Sequence, residues 1–203
     1  MKYLLLERIL SNEWDEYAEN WDVDPSVEQY AKNAFSELLD SININGLTVL
    51  DFGCGTGALT QLMSPSVESI VGIDPSSEMI KLLDKKALNN VTSICDYLSS
   101  ELVQNFPELK NKFDLIVASS VCGFLPDYEM TLSLLKSLLK KDGLFVQWDW
   151  LSEDDSSGMG LSEKRVKQAF LASGFVSIKV NSPFIMNSSK GNMPVLMAIG
   201  KND

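Results

Sequence analysis

Residues 49–57 read VLDFGCGTG. A short apolar run ends in Asp51, and Gly53, Gly55 and Gly57 then fall at alternating positions, with Cys54 and Thr56 between them. Glycine at a strand-to-helix turn lets a ligand lie against the main chain and lets the helix start close to the strand. The spacing selects the ligand. Dinucleotide sites favour G-x-G-x-x-G, which brings a pyrophosphate onto a helix N-terminus. Here the run D-x-G-x-G-x-G shortens the last gap by one residue and puts a carboxylate two positions ahead of the first glycine. That acid is a poor neighbour for pyrophosphate and a good one for an ammonium or sulfonium cation.

Two more acids follow at apparent strand ends. SIVGID closes on Asp74, just before Pro75. A carboxylate there suits both hydroxyls of a ribose, or it simply caps the next helix. The next apolar run ends in Cys95, Asp96 and Tyr97. Asp96 could accept from the exocyclic amine of an adenine, with Met79 against the base; equally, Met79 fits a core position and Asp96 a turn. Proton transfer is the scarcer resource, because the chain has no histidine, the commonest general base and metal ligand. Asp127, Tyr128 and Asp149 remain as candidate bases, or as solvated loop residues. The aromatic residues Trp14, Tyr17, Trp21, Phe124, Trp148 and Trp150 would wall a ligand pocket, although Trp148 and Trp150 share a strand face that also suits a core. An acidic, aromatic rim suits a small cationic or aromatic ligand.

These residues need a frame, and the pattern supplies one. Val27, Tyr30, Ala31, Ala34, Phe35, Leu38 and Leu39 make an amphipathic helix stripe opened by Pro25. Strands are expected over 47–53, 69–74, 91–96, 113–120 and 143–150, and helices over 57–63, 76–86, 128–141 and 162–173. Ser76 or Ser77 caps the second of these helices, Lys140 and Lys141 sit in the last turn of the third, and Gly143 stops it. A loop-helix region with Pro107 precedes the fourth strand, and the acidic loop EDDSSGMG precedes the last helix. FVSIKV and VLMAIG read as a closing strand pair joined by a polar loop; with no helical crossover between them, one must run antiparallel. Strands alternating with helices predict a doubly wound, mostly parallel α/β sheet.

The totals narrow the function. The 203 residues with 45% hydrophobic content suffice for one domain: an N-terminal helical cap (1–45), a ligand-binding core (46–150), and a C-terminal helix with the strand pair (151–203). Seventeen basic and 28 acidic side chains leave a charge of −11, which repels nucleic acid and anionic lipid. MKYLLLERIL is too short an apolar run for a signal core, and no stretch approaches a membrane span. Three cysteines without CxxC spacing indicate neither a disulfide framework nor a zinc site. A cytoplasmic compartment follows as the expectation, with the oligomeric state open.

In order along the chain, VLDFGCGTG, VGIDPSSEMI, ICDYL, FDLIVASSVCGFLPD and LLKKDGLFVQWDW resemble the motifs of class I S-adenosylmethionine-dependent methyltransferases. The likeness runs from the acidic-aromatic segment near residue 14 to about residue 200, including GMGLSEKRV before the last helix. It implies a seven-stranded sheet of order 3-2-1-4-5-7-6 with strand 7 antiparallel, and S-adenosylmethionine as cofactor, leaving as S-adenosylhomocysteine. Carried over by position, Gly53, Gly55 and Gly57 resemble the glycines under the methionine part, with Asp51 near its amine. Asp74 resembles the ribose acid and Asp96 the adenine contact. Ala118 and Ser119 resemble the segment facing the methionine amine, and Tyr17 and Trp21 the aromatics folding over the cofactor. The chain lacks an Asn-Pro-Pro-Tyr or Asp-Pro-Pro-Tyr end to strand four, and has Val121, Cys122, Gly123 and Phe124 where many small-molecule members carry histidines. The resemblance therefore implies methyl transfer to a small molecule, mainly through positioning. The alternative is a relative that binds the cofactor but acts through a protein partner; a nicotinamide oxidoreductase disagrees with the glycine spacing and Asp51.

Overall fold

The computed structural model describes residues 14–106, 109–153, 160–188 and 191–203. MKYLLLERIL, Pro107 and residues 154–159 of the acidic loop and the GMG lead lie outside the described residues. Thr48–Phe52 (β1), Ser69–Asp74 (β2), Val91–Cys95 (β3), Phe113–Ser119 (β4), Leu139–Trp150 (β5), Val176–Ser188 (β6) and Gly191–Lys201 (β7) form one sheet. The order is β3-β2-β1-β4-β5-β7-β6. The first five strands run parallel, and β7 pairs antiparallel with both β5 and β6, as the resemblance implied.

Alternate strand residues send side chains to opposite faces, and both faces are apolar. Val49, Leu115, Val117, Val146 and Trp148 pack with Tyr30, Ala34, Leu38 and Met63 on one side. Leu50, Ile116 and Phe145 pack with Leu132, Leu135, Val166 and Phe170 on the other. The helices supplying these layers are 14–21 (α1), Pro25–Ser41 (α2), Ala58–Met63 (α3), Ser77–Lys85 (α4), Ser100–Asn105 (α5), Tyr128–Leu138 (α6) and Glu163–Ala172 (α7). Side chains of Asp24, Ser76, Ser99, Asp127 and Ser162 cap the starts of α2 and α4–α7, a contribution of about 1 kcal/mol each. Leu39, expected on the buried stripe of α2, is exposed because it lies past the edge of the face centred on Ala34. Among the described residues no helix is long and apolar enough to cross a membrane.

Two further expectations change. Helix α6 stops at Leu138, and Lys140 and Lys141 belong to β5. Leu139 pairs with Phe113 across the sheet, and Lys140 Nζ lies 2.8 Å from the Asp114 carboxylate. Helix continuation would forfeit both. Gly143 is a close-approach residue rather than a helix stop, since a Cβ there would come within 2.9 Å of the Lys140 carbonyl oxygen. The second change is the closing pair, whose strands extend to Ser188 and from Gly191 into the stretch read as a polar loop. Pro183 is accommodated at a register shift between Asn181 and Phe184, where a bulge leaves the missing N–H without consequence.

Candidate functional site

Beyond the carboxyl ends of β1, β2 and β4 lies a cavity of about 690 Å³. One half is lined by Asp51, the turn from Gly53 to Thr56, Asp74, Pro75, Met79, Asp96 and Tyr97. The other half reaches across the sheet to Val27 and Tyr30 of α2, Trp150 at the end of β5, and Met186 and Met193 on the hairpin. Because β7 is antiparallel, its first residues and the last of β6 meet at this same edge of the sheet.

The three glycines have different reasons to be glycine. All hold left-handed φ, at 70°, 52° and 82°, which favours glycine over any L side chain. A Cβ on Gly53 would sit 2.4 Å from Val121 Cγ2, and one on Gly57 2.4 Å from Leu83 Cδ1. Of the three, only Gly55 would let the added carbon in without a clash, its one neighbour being Met79 Sδ at an ordinary contact of 4.0 Å. Gly57 does not line the cavity. Gly53 and Gly57 thus serve tight packing, while Gly53 and Gly55 line the cavity.

The acids are held rather than free. Asp74 Oδ2 accepts from the Gly55 N–H and Oδ1 from the Ser76 N–H, both at 2.9 Å, which aims the carboxylate at the cavity. Burial pushes its pKa up, and those two N–H groups oppose the shift. Asp51 is 1% exposed and accepts from Thr60 Oγ1 at 2.5 Å. Burial, with the nearby charge of Asp74 adding, raises it to about 6. Asp96 is exposed at the far rim and accepts from the Tyr97 N–H. Cys54 is buried in the turn, whereas Cys95 faces out of the cavity with its Sγ near the Pro75 carbonyl. Ala118 is buried in β4 and only Ser119 reaches the cavity wall.

Helix α1 lies over this half. Asp15 accepts from Ser76 Oγ at 2.6 Å and the Glu78 N–H at 3.2 Å. Asp22 accepts from Thr56 Oγ1 at 2.5 Å and lies 3.3 Å from Lys86 Nζ. Trp14 packs on Trp21, Tyr17 and Phe124 with ring centroids 5.6–6.0 Å apart. Tyr17 and Trp21 line the cavity, Tyr17 with 60% of its surface exposed. Sequence reasoning singled out the aromatics of this acidic-aromatic segment but gave Asp15 and Asp22 no role of their own.

A methyltransferase-domain family matches residues 24–177, which holds every strand of the cavity's first half and most of the second. The chain belongs to the class I S-adenosylmethionine-dependent methyltransferase family. An uncharacterised methyltransferase of Schizosaccharomyces pombe is 29% identical over 77% of this chain and 60% of its own length. The malonyl-[acyl-carrier protein] O-methyltransferase of Acetivibrio thermocellus is 30% identical over 69% of this chain and 48% of its own. The chain spans about half the length of the curated relatives it matches. The solved structure of DhpI with SAH shares the fold, with a TM-score of 0.72 at 19% identity, covering 95% of this chain and 94% of that one.

In this methyltransferase domain the three candidate bases part company. Asp127 lines the cavity, and its carboxylate accepts from the Met130 N–H as the cap of α6. Tyr128 and Asp149 lie behind the cavity wall and do not line it, contrary to the placement expected at the mouth. Tyr128 is fully buried and donates to Gln147 Oε1 at 2.7 Å, beneath the Arg165 guanidinium. Gln147 Nε2 donates in turn to Asp149 Oδ2, whose other oxygen accepts from the Gly123 N–H at 2.9 Å. Asp149 therefore braces the turn Cys122–Phe124 that follows β4. Trp148 is buried in the core, while Trp150 faces the cavity and packs edge-on against Tyr30.

The buried acids set a pH dependence. Asp51 near 6 and Asp149 near 7, against 3.8 for an exposed aspartate, hold protons in the fold that the unfolded chain releases. Stability of the free protein is then expected to fall as pH rises through that window, because the folded state binds more protons there. The melting temperature of ligand-free protein should drop between pH 5 and pH 8; a rise over that range would contradict the burial of these carboxylates.

Proposed function

We propose that the protein moves a methyl group from S-adenosylmethionine to a small-molecule acceptor. The observation that carries this reading is Asp74, fixed by two backbone N–H groups at the edge of a cavity whose described lining holds five aspartates and no cationic side chain. The donor set fits the cofactor. Each Asp74 oxygen keeps a lone pair for a ribose hydroxyl, Asp51 suits the ammonium, and Asp96 with Met79 suits adenine. Pro75, Tyr97 and the backbone of Cys54, Gly55, Thr56 and Ser119 complete that half, and Tyr17 and Trp21 cover it. The bound cofactor supplies a methyl group that is already activated.

The chain's own residues then bind, orient and exclude water. Holding two reactants in line lowers a barrier by about 7–11 kcal/mol where the geometry is right, so positioning suffices for an acceptor that needs little help losing a proton. The enclosure under α1 and the net charge of −11 favour a small acceptor over nucleic acid. No observation favours the alternative of a cofactor binder acting through a protein partner. Calorimetry tests the reading: S-adenosylhomocysteine binds in the micromolar range, and its affinity rises from pH 5 to pH 8 as Asp51 loses its proton and gains attraction for the ammonium. Absence of S-adenosylhomocysteine binding removes the reading, and transfer of labelled methyl groups across a metabolite panel separates turnover from binding.

A further inference from the structure

The second half of the cavity has its own chemistry. Val27, Tyr30, Trp150, Met186 and Met193 wall it, with the exposed Phe124 and Met130 at its rim. Aromatic faces and thioethers suit a flat, polarisable guest. The charged side chains on this side are Asp24 and Asp127, and no lysine or arginine lines the cavity among the described residues. An anionic guest placed here would shed its water against carboxylates, with no cation among the described lining residues to receive it.

Tyr30 is the unusual member of this wall. It is 8% exposed, its ring packs edge-on against Trp150 and Phe184 at 5.3 and 5.6 Å, and its hydroxyl is buried without a hydrogen bond. An unpaired buried hydroxyl costs about 1–3 kcal/mol, and native proteins retain few such groups. Trp148 Nε1 is also buried and unpaired, but Trp148 sits in the core and not against the cavity. Burial, reinforced by the charge of Asp149, holds the Tyr30 hydroxyl well above its usual range, so it stays a neutral phenol able to donate.

Resting on the methyl-transfer reading above, we propose that the acceptor is a non-anionic aromatic molecule seated between α2, Trp150, Met186 of β6 and Met193 of β7, and that the Tyr30 hydroxyl anchors its polar group. Tyr30 is a specificity residue that touches the acceptor and leaves the cofactor half unaltered. The helical stripe that identified it in sequence marks only a core position, so nothing but the fold distinguishes it from Ala34 or Leu38.

Three probes sharing one phenol ring test the idea: tyrosol (neutral), tyramine (cationic) and para-hydroxyphenylacetate (anionic). Each is titrated by calorimetry into protein saturated with S-adenosylhomocysteine. Tyrosol and tyramine should bind about tenfold or more tighter than the anion. Tyr30→Phe should weaken both by about five- to tenfold, as for one lost hydrogen bond, with S-adenosylhomocysteine affinity unchanged. A purely structural tyrosine would shift the melting temperature without separating the two affinities. The proposal falls if the anion binds as well as the others, if no probe binds, or if Tyr30→Phe binds them like the parent. Failure of S-adenosylhomocysteine itself to bind removes the cofactor reading, and the acceptor site with it. Intact S-adenosylhomocysteine binding with any of the other negative results removes the acceptor proposal alone.

Discussion

Asp74→Ala is expected to cut S-adenosylhomocysteine affinity by at least a hundredfold while the protein still folds. The carboxylate is already oriented by Gly55 and Ser76, so a ribose diol meets two acceptors that need no reorganisation. Hydrogen bonds to a charged group contribute about 1.5–3 kcal/mol each, and two of them account for a loss of roughly two to four powers of ten in affinity. Alanine also leaves two backbone N–H groups without acceptors, which lowers stability. The charge itself adds nothing to stability, because burial already disfavours the ionised form. Calorimetry and thermal melts together separate these effects. Affinity within threefold of the parent, in a folded variant, would show that Asp74 only braces the glycine turn.

The second large effect is expected at Gly53, and it is a stability effect first. Alanine would have to hold φ near 70° and place its Cβ 2.4 and 2.9 Å from the two methyl carbons of Val121. The left-handed conformation costs about 1–2 kcal/mol in a non-glycine residue, and overpacking adds about 1–3 kcal/mol. Gly53→Ala should therefore lose about 2–5 kcal/mol in denaturant unfolding. Val121→Ala in the same chain should recover the packing share and leave the backbone share, which a double-mutant cycle resolves. Gly55→Ala meets only Met79 at 4.0 Å and should cost the backbone share alone, yet intrude on the cavity. If Gly53→Ala unfolds within 0.5 kcal/mol of the parent, a threshold for ordinary surface changes, the close approach of Val121 is not a constraint.

These two positions show how differently sequence and fold contribute. The strand SIVGID and a serine cap at Ser76 or Ser77, which is Ser76, were legible in sequence, because a β-branched run and a serine before a helix are local signals. Lys140 and Lys141 misled, since two lysines after an amphipathic helix look like its last turn, whereas a partner 26 residues earlier in the chain, Asp114, draws Lys140 into a strand. The hairpin misled for a similar reason. Residues 181–188 and 191–194, with Pro183 and Pro194, read locally as loop, and only pairing across β6 and β7, with its register shifts, makes them strand.

The same division runs through the site. Local composition marked Asp51, the glycines and Asp74, because strand ends followed by glycine or proline announce a turn whatever surrounds them. Which glycine faces a ligand and which faces Val121 or Leu83 depends on side chains far along the chain, so spacing alone could not decide it. Tyr128 and Asp149 looked like mouth residues and lie behind the wall, where Gln147 links them. Tyr30 looked like core and lines the cavity. The sequence by itself determined the sheet, its strand order through the resemblance it carries, and the acids that end its strands. The tertiary structure alone decided what each buried polar group meets, because burial and hydrogen bonding are properties of neighbours brought together by folding, not of neighbours along the chain.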